Sequence, residues 1–127
     1  MHIEHIALWT DQLDTLVSFY ETYFGATAQP KYTNPKTHFE SIFVTFDSGA
    51  RIEIMHKPAL GARPTGAQPL GYAHLAFSVG SREEVERLTQ RLAADGHSVI
   101  GRPRVTGDGY YESLILDPDG NLIEITV

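Results

Sequence analysis

The sequence predicts an α+β fold of two tandem βαβββ modules, their strands forming a curved, mostly antiparallel sheet around a cavity. Three observations lead there. His5-Ile-Ala-Leu returns as His74-Leu-Ala-Phe, 69 positions later. Gly49-Ala-Arg-Ile-Glu-Ile returns as Gly120-Asn-Leu-Ile-Glu-Ile, 71 positions later, each time after an apolar run and a turn. Between these matches both halves run through the same order of patterns: one strand, one amphipathic helix, three strands. At 127 residues the chain is expected to be a single domain, with modules at about 1–57 and 71–127.

The first module opens with an alternating stretch at residues 2–9. A helix follows, because Leu13, Leu16, Val17, Tyr20 and Phe24 recur at helical spacing, and Gly25 sits where a left-handed C-cap belongs. Strand-like stretches come next at 26–33, 39–47 and 50–57. Residues 58–69, with Gly61, Pro64 and Gly66, read as the linker. The second module repeats the order. A strand at 71–79 leads into a helix that opens with Ser81-Arg-Glu-Glu84, a capping box in which Ser and Glu each satisfy an orphan backbone donor. Its apolar stripe is Val85, Leu88 and Leu92, and Gly96 closes it. Strands at 97–105, 110–117 and 121–127 complete the chain.

Bulk properties narrow the function. A formal charge of −6 with ten scattered basic residues argues against nucleic acid, whose phosphates need clustered Lys or Arg. No apolar run approaches the roughly 20 residues of a membrane span. The N-terminus lacks a basic leader and a cleavage site, so a secretory signal is not expected. With no cysteine there is neither a disulfide framework nor a thiolate nucleophile, which fits a cytoplasmic protein. A small-molecule ligand is the expected partner.

Strand alternation then picks out four residues. In each repeat the apolar neighbours of a polar residue point away from it: Ile6 and Leu8 around His5, Ile52 and Ile54 around Glu53. Leu75 stands so beside His74, and Ile123 and Ile125 beside Glu124. The apolar residues must pack under something, and the two helices are the only candidates. His5, Glu53, His74 and Glu124 then share the opposite face, at repeat-equivalent positions. Two imidazoles and two carboxylates suit one divalent ion per site, Zn or Ni first, with Co, Mn or Fe as further candidates. His2, His38, His56 and His97 have no repeat partner and read as surface or packing residues.

These features together, the paired modules, H-I-A-L, H-L-A-F, I-E-I and the ending Asp117-Pro-Asp-Gly-Asn-Leu-Ile-Glu-Ile125, resemble the vicinal oxygen chelate superfamily. That superfamily includes glyoxalase I, methylmalonyl-CoA epimerase, extradiol dioxygenases and bleomycin-resistance proteins. The resemblance covers essentially the whole chain and is closest to the glyoxalase I branch, which shares the His, Glu, His, Glu set. It implies metal ligation by His5, Glu53, His74 and Glu124, and a lactoylglutathione-lyase type of isomerisation through an enediolate. Glu124 is then the expected base, with Glu53 the second candidate. A homodimer is implied too, with each site within one chain or across two. The chain departs from that branch at two glutathione positions. Trp9 stands where bacterial enzymes carry Arg, and Lys57 where an Asn is frequent. Trp9, Lys57, Tyr110 and Tyr111 are the expected substrate contacts. Two other functions stay open: a metal-free protein that binds an antibiotic or other small molecule, and a metal-dependent epimerase.

Overall fold

The computed structural model describes residues 1–63, 66 and 70–127, and the chain divides into two compact units, Met1–Thr65 and Gly66–Val127. The linker expected at 58–69 therefore lies partly outside the described residues.

The first unit runs β1 (His5–Trp9), α1 (Leu13–Phe24), β2 (Thr27–Ala28), β3 (Tyr32–Thr33), β4 (Glu40–Thr45) and β5 (Arg51–His56). The second runs β6 (Leu75–Ser78), α2 (Arg82–Ala94), β7 (Val99–Val105), β8 (Tyr111–Leu116) and β9 (Leu122–Thr126). The α+β class and the element order follow the expectation, with two differences. Hydrogen bonding gathers the strands into two mixed sheets, ordered β1-β5-β4-β2, with β3 also on β4, and β6-β9-β8-β7. The stretch at 26–33 is two short strands rather than one. β2 pairs with the far end of β4 and β3 with its start, and Gln29 between them donates its backbone N–H to Phe43 at 2.8 Å.

Within each unit the first strand lies parallel to the last, and the last antiparallel to the one before it. A parallel neighbour requires a crossover, and the helix supplies it. α1 buries Leu13, Leu16, Val17, Phe19 and Tyr20 over Ile42, Val44, Ile52 and Ile54; it packs on β2, β4 and β5. α2 buries Val85, Leu88 and Leu92 over Ile115, Ile123 and Ile125; it packs on β7, β8 and β9. Truncating one such residue, Leu16 or Ile125, costs about 2–5 kcal/mol.

Helix ends are closed by local chemistry. Gly25, at φ 65°, takes the left-handed conformation that ends α1. After α2, Gly96 donates to Ala93 at 3.1 Å and His97 to Leu92 at 2.9 Å, the two bonds of a Schellman motif. At the start of α2 the Ser81 hydroxyl accepts the Glu84 amide at 3.2 Å, as the capping box requires. The Glu84 carboxylate, however, takes the Arg87 guanidinium through paired bonds of 3.0 Å and 2.5 Å.

Candidate metal centre

The last hairpin shows how local sequence places a functional side chain. Asp117 is buried, and its Oδ1 accepts the amides of Asp119 at 3.0 Å and Asn121 at 2.8 Å. Its Oδ2 accepts the Asn121 side-chain amide at 2.8 Å. The D-P-D-G-N turn thus sets the β8–β9 register, and that register pairs Leu114 with Glu124. In the first unit the corresponding pair is Phe43 with Glu53.

The parallel strands complete the parallel between the units. Ala7 stands opposite Glu53 on β1, and Ala76 opposite Glu124 on β6. His5 and His74 each lie two residues before that alanine, on the same face. An imidazole therefore reaches diagonally past a methyl group toward a carboxylate in both units. His5 Nε2 is 4.0 Å from Glu53 Oε2, and His74 Nε2 is 3.4 Å from Glu124 Oε2. The exposures match as well, 40% and 18% for the first pair against 39% and 15% for the second. Ile52, Ile54, Ile123 and Ile125 are buried on the helix side, so the alternation read from the sequence holds around both glutamates.

Two ligands each about 2.0–2.2 Å from a zinc-like ion lie roughly 3–3.5 Å apart. The His74–Glu124 pair already has that spacing, and the first pair needs a side-chain rotation of a few tenths of an ångström. Within either unit, and among the described residues, no group of three or more His, Asp or Glu side chains forms a complete metal cage. Each unit sets one imidazole beside one carboxylate. The donor types and their spacing fit a divalent ion.

Neighbours that the alternation argument did not single out surround each half. The Glu4 carboxylate makes short contacts to His5 Nδ1 and to the Arg51 guanidinium. The hydrogen bond from His5, and then Arg51, hold the Glu4 carboxyl below the usual carboxylate range. A carboxylate at Nδ1 keeps the proton there and leaves the Nε2 lone pair for a metal. The Arg51 guanidinium also lies 4.2 Å over the Phe43 ring, whose edge meets His5 at 5.5 Å between centroids. In the second unit Glu112, only 8% exposed, shares Glu124's face and pairs with Arg104 at 3.3 Å. Burial, followed by the charge of Glu124 and a hydrogen bond to it, pushes the Glu112 carboxyl up despite Arg104. Glu4 adjoins His5 in the sequence, whereas Glu112 is brought beside Glu124 by the β8–β9 register, which pairs Leu114 with Glu124.

The expected substrate contacts divide. Trp9 lies on the His5 face, and the Lys57 ammonium sits 4.5 Å over its ring. Tyr110 is exposed in the turn before β8, with its carbonyl accepting the Thr106 amide at 2.8 Å. Tyr111 is on the other face. Its hydroxyl donates to Glu86 at 2.7 Å and its ring lies beneath Arg82, so it belongs with α2, away from Glu124. The reason is the two-residue strand period, which puts Tyr111 with Ser113 and Ile115. A cleft of about 500 Å³ lined by Glu86, Arg102 and Tyr111 lies on that same helix side. His56, expected to be a surface or packing residue, bonds the Thr10 carbonyl at 2.9 Å.

Comparison with known proteins bears on this geometry. A sequence model of the family described as the Glyoxalase/Bleomycin resistance protein/Dioxygenase superfamily matches residues 2–125. The chain is 28% identical to uncharacterized protein PA2024 of Pseudomonas aeruginosa, over 98% of its length and 86% of that protein. It is 30% identical to virulence protein STM3117 of Salmonella typhimurium, over 98% and 82%. Among solved structures, SMU.1112c superposes with a TM-score of 0.84 at 25% identity, covering 100% of this chain and 98% of that one. Glyoxalase I from Zea mays superposes at 0.81 with 19% identity, a likeness of fold. The chain covers 98% of itself in that match and spans 44% of the maize chain.

Proposed function

The chain belongs to the Glyoxalase/Bleomycin resistance protein/Dioxygenase superfamily, and from that membership we propose that it is a divalent-metal-dependent, glyoxalase-like enzyme of the cytoplasm. The observation that carries the reading is the pair of His–Glu half-sites in identical strand register, one per module. His5, Glu53, His74 and Glu124 would together hold one ion, in a homodimer whose sites form within one chain or across two. A bound divalent ion would supply Lewis-acid stabilisation of negative charge on neighbouring substrate oxygens.

The chain's own residues account for the proton movements. The Glu124 carboxylate takes a proton from a carbon next to a carbonyl and returns it to the neighbouring carbon. The hydroxyl proton on the first carbon passes to the former carbonyl oxygen, so the net result is isomerisation, with no atom gained or lost. Glu53, opposite Ala7, is the second candidate for that base. Glu4 fixes the His5 tautomer. Phe43 and Ala7 line the floor, and Ala76 does the same below Glu124.

Elemental analysis of untagged protein tests the reading. About one divalent ion per chain is expected in the wild type, and loss of it in a His5→Ala, Glu124→Ala double variant. If no metal is retained after Ni, Zn, Co, Mn or Fe is added back, the enzyme reading is wrong. The chain is then a small-molecule binder.

A further inference from the structure

The open face of the first unit carries more than a half-site. Pairing places Tyr32 opposite Ser41 and Ser41 opposite Met55, while Trp9 stands opposite Met55 from the other side. All four side chains therefore share the face of His5 and Glu53. Phe39 sits between the two outer aromatics. Its ring meets Trp9 at 6.2 Å edge to face and Tyr32 at 6.2 Å tilted. Trp9 and Tyr32 remain 46% and 55% exposed, although large aromatic rings are among the groups that gain most from burial.

A cation completes the platform. The Lys57 ammonium lies over the Trp9 ring, and among the described residues no carboxylate comes within ion-pair distance of it. The acids nearby have other partners: Asp11 faces His56 at 3.7 Å and Glu40 faces Lys31 at 3.5 Å. Trp9 is four residues beyond His5 and Lys57 four beyond Glu53, about 13 Å along their strands at roughly 3.3 Å per residue. The platform thus lies one ring and a short spacer away from the half-site.

We infer that Trp9, Phe39, Tyr32 and Lys57 form the recognition surface for a planar, anionic tail of the substrate whose other end is held at His5 and Glu53. The rings supply a stacking surface and the ammonium an attachment for a carboxylate or similar anion. The placement of the tail relative to the reacting end rests on the proposed function; the platform does not. Its test is therefore made without metal.

The full chain, freed of metal with a chelator, is titrated calorimetrically with 2-naphthoate, a planar anion lacking vicinal oxygens. The neutral 2-naphthylmethanol and the ringless acetate serve as comparisons. Binding of naphthoate at one per chain is expected, with a change in the fluorescence of Trp9, the only tryptophan. Trp9→Ala should weaken it about tenfold, the size of one lost stacking partner. Lys57→Gln should weaken naphthoate about threefold and leave naphthylmethanol unchanged. Because the titration is made on metal-free protein, loss of the metal reading leaves this result standing. The proposal is overturned by no binding at about 1 mM naphthoate, or by equal affinity in Trp9→Ala. It is equally overturned if Trp9→Ala turns a sedimenting dimer into a monomer, which would make the platform a subunit contact.

Discussion

At the first His–Glu pair the surroundings act on the histidine: Glu4 and Arg51 stand behind the His5 imidazole, and Phe43 abuts its edge. At the second pair they act on the glutamate. Glu112 crowds Glu124 from the next strand, in the position that Ser41 holds in the first unit, and Arg104 offsets the added charge. The backbone register is shared and the neighbourhoods are not. The scaffold decides where a ligand can stand, and residues one position away decide what it is suited to do. A held imidazole suits an anchor. Glu124 has a buried carboxyl beside it where Glu53 has Ser41.

This asymmetry predicts unequal damage from equal substitutions. Glu124→Gln, which keeps shape and one oxygen ligand, should lower kcat by about 10³, within the range for loss of a general base. Glu53→Gln should lower it by about tenfold, mainly through weaker metal binding. Steady-state rates on adducts of 2-oxoaldehydes with thiols, with metal content measured alongside, decide the matter. Equal losses would mean that the two halves are interchangeable, and a larger loss at Glu53 would reverse the assignment.

A smaller effect follows from the support of His5. Glu4→Gln leaves all four proposed ligands in place and removes the carboxylate at Nδ1. Metal affinity, measured by competition with a chromophoric chelator, should fall about tenfold, at the low end for a lost outer partner because Glu4 is exposed. Ala73 holds the corresponding position before His74, so Ala73→Gln should leave affinity unchanged. If both variants behave alike, the support of His5 is incidental.

Much of this was legible in the sequence. The repeat of H-x-A and I-E-I named the strands, and the apolar neighbours of His5, Glu53 and Glu124 gave the buried side, because a two-residue period leaves only one choice once a helix covers one face. What escaped was set by pairing between strands. Glu112 lies twelve residues from Glu124, yet only the β8–β9 register reveals them as diagonal neighbours. For Tyr111 the loop pattern alone does not set the phase, and one residue of register puts it under α2. The split of residues 26–33 into β2 and β3 likewise depends on where β4 offers partners, which no local pattern encodes. The most specific stretch of the resemblance, D-P-D-G-N, acts through Asp117 as a turn that holds Glu124 in register.

The mildest way to sharpen the comparison is to make the second neighbourhood resemble the first. Glu112 is buried beside Glu124, with Arg104 and Asp108 the other charges acting on it, and its carboxyl is pushed above the ordinary range. A carboxyl raised in the folded state holds its proton longer than in the unfolded chain. Its stabilising contribution is complete below the unfolded value, about 4.3, and is lost as pH rises through the folded value. In chelator-treated protein, Glu112→Gln should therefore match the wild type near pH 4 and exceed it at pH 7. The gain at pH 7 should be about 1 kcal/mol, or about 4 °C in Tm for a chain of this length. Thermal melts across that range read both arms. A variant less stable than the wild type at pH 7 would show that the Arg104 pair outweighs the repulsion. A gain confined to neutral pH would tie the difference between the half-sites to this one carboxyl.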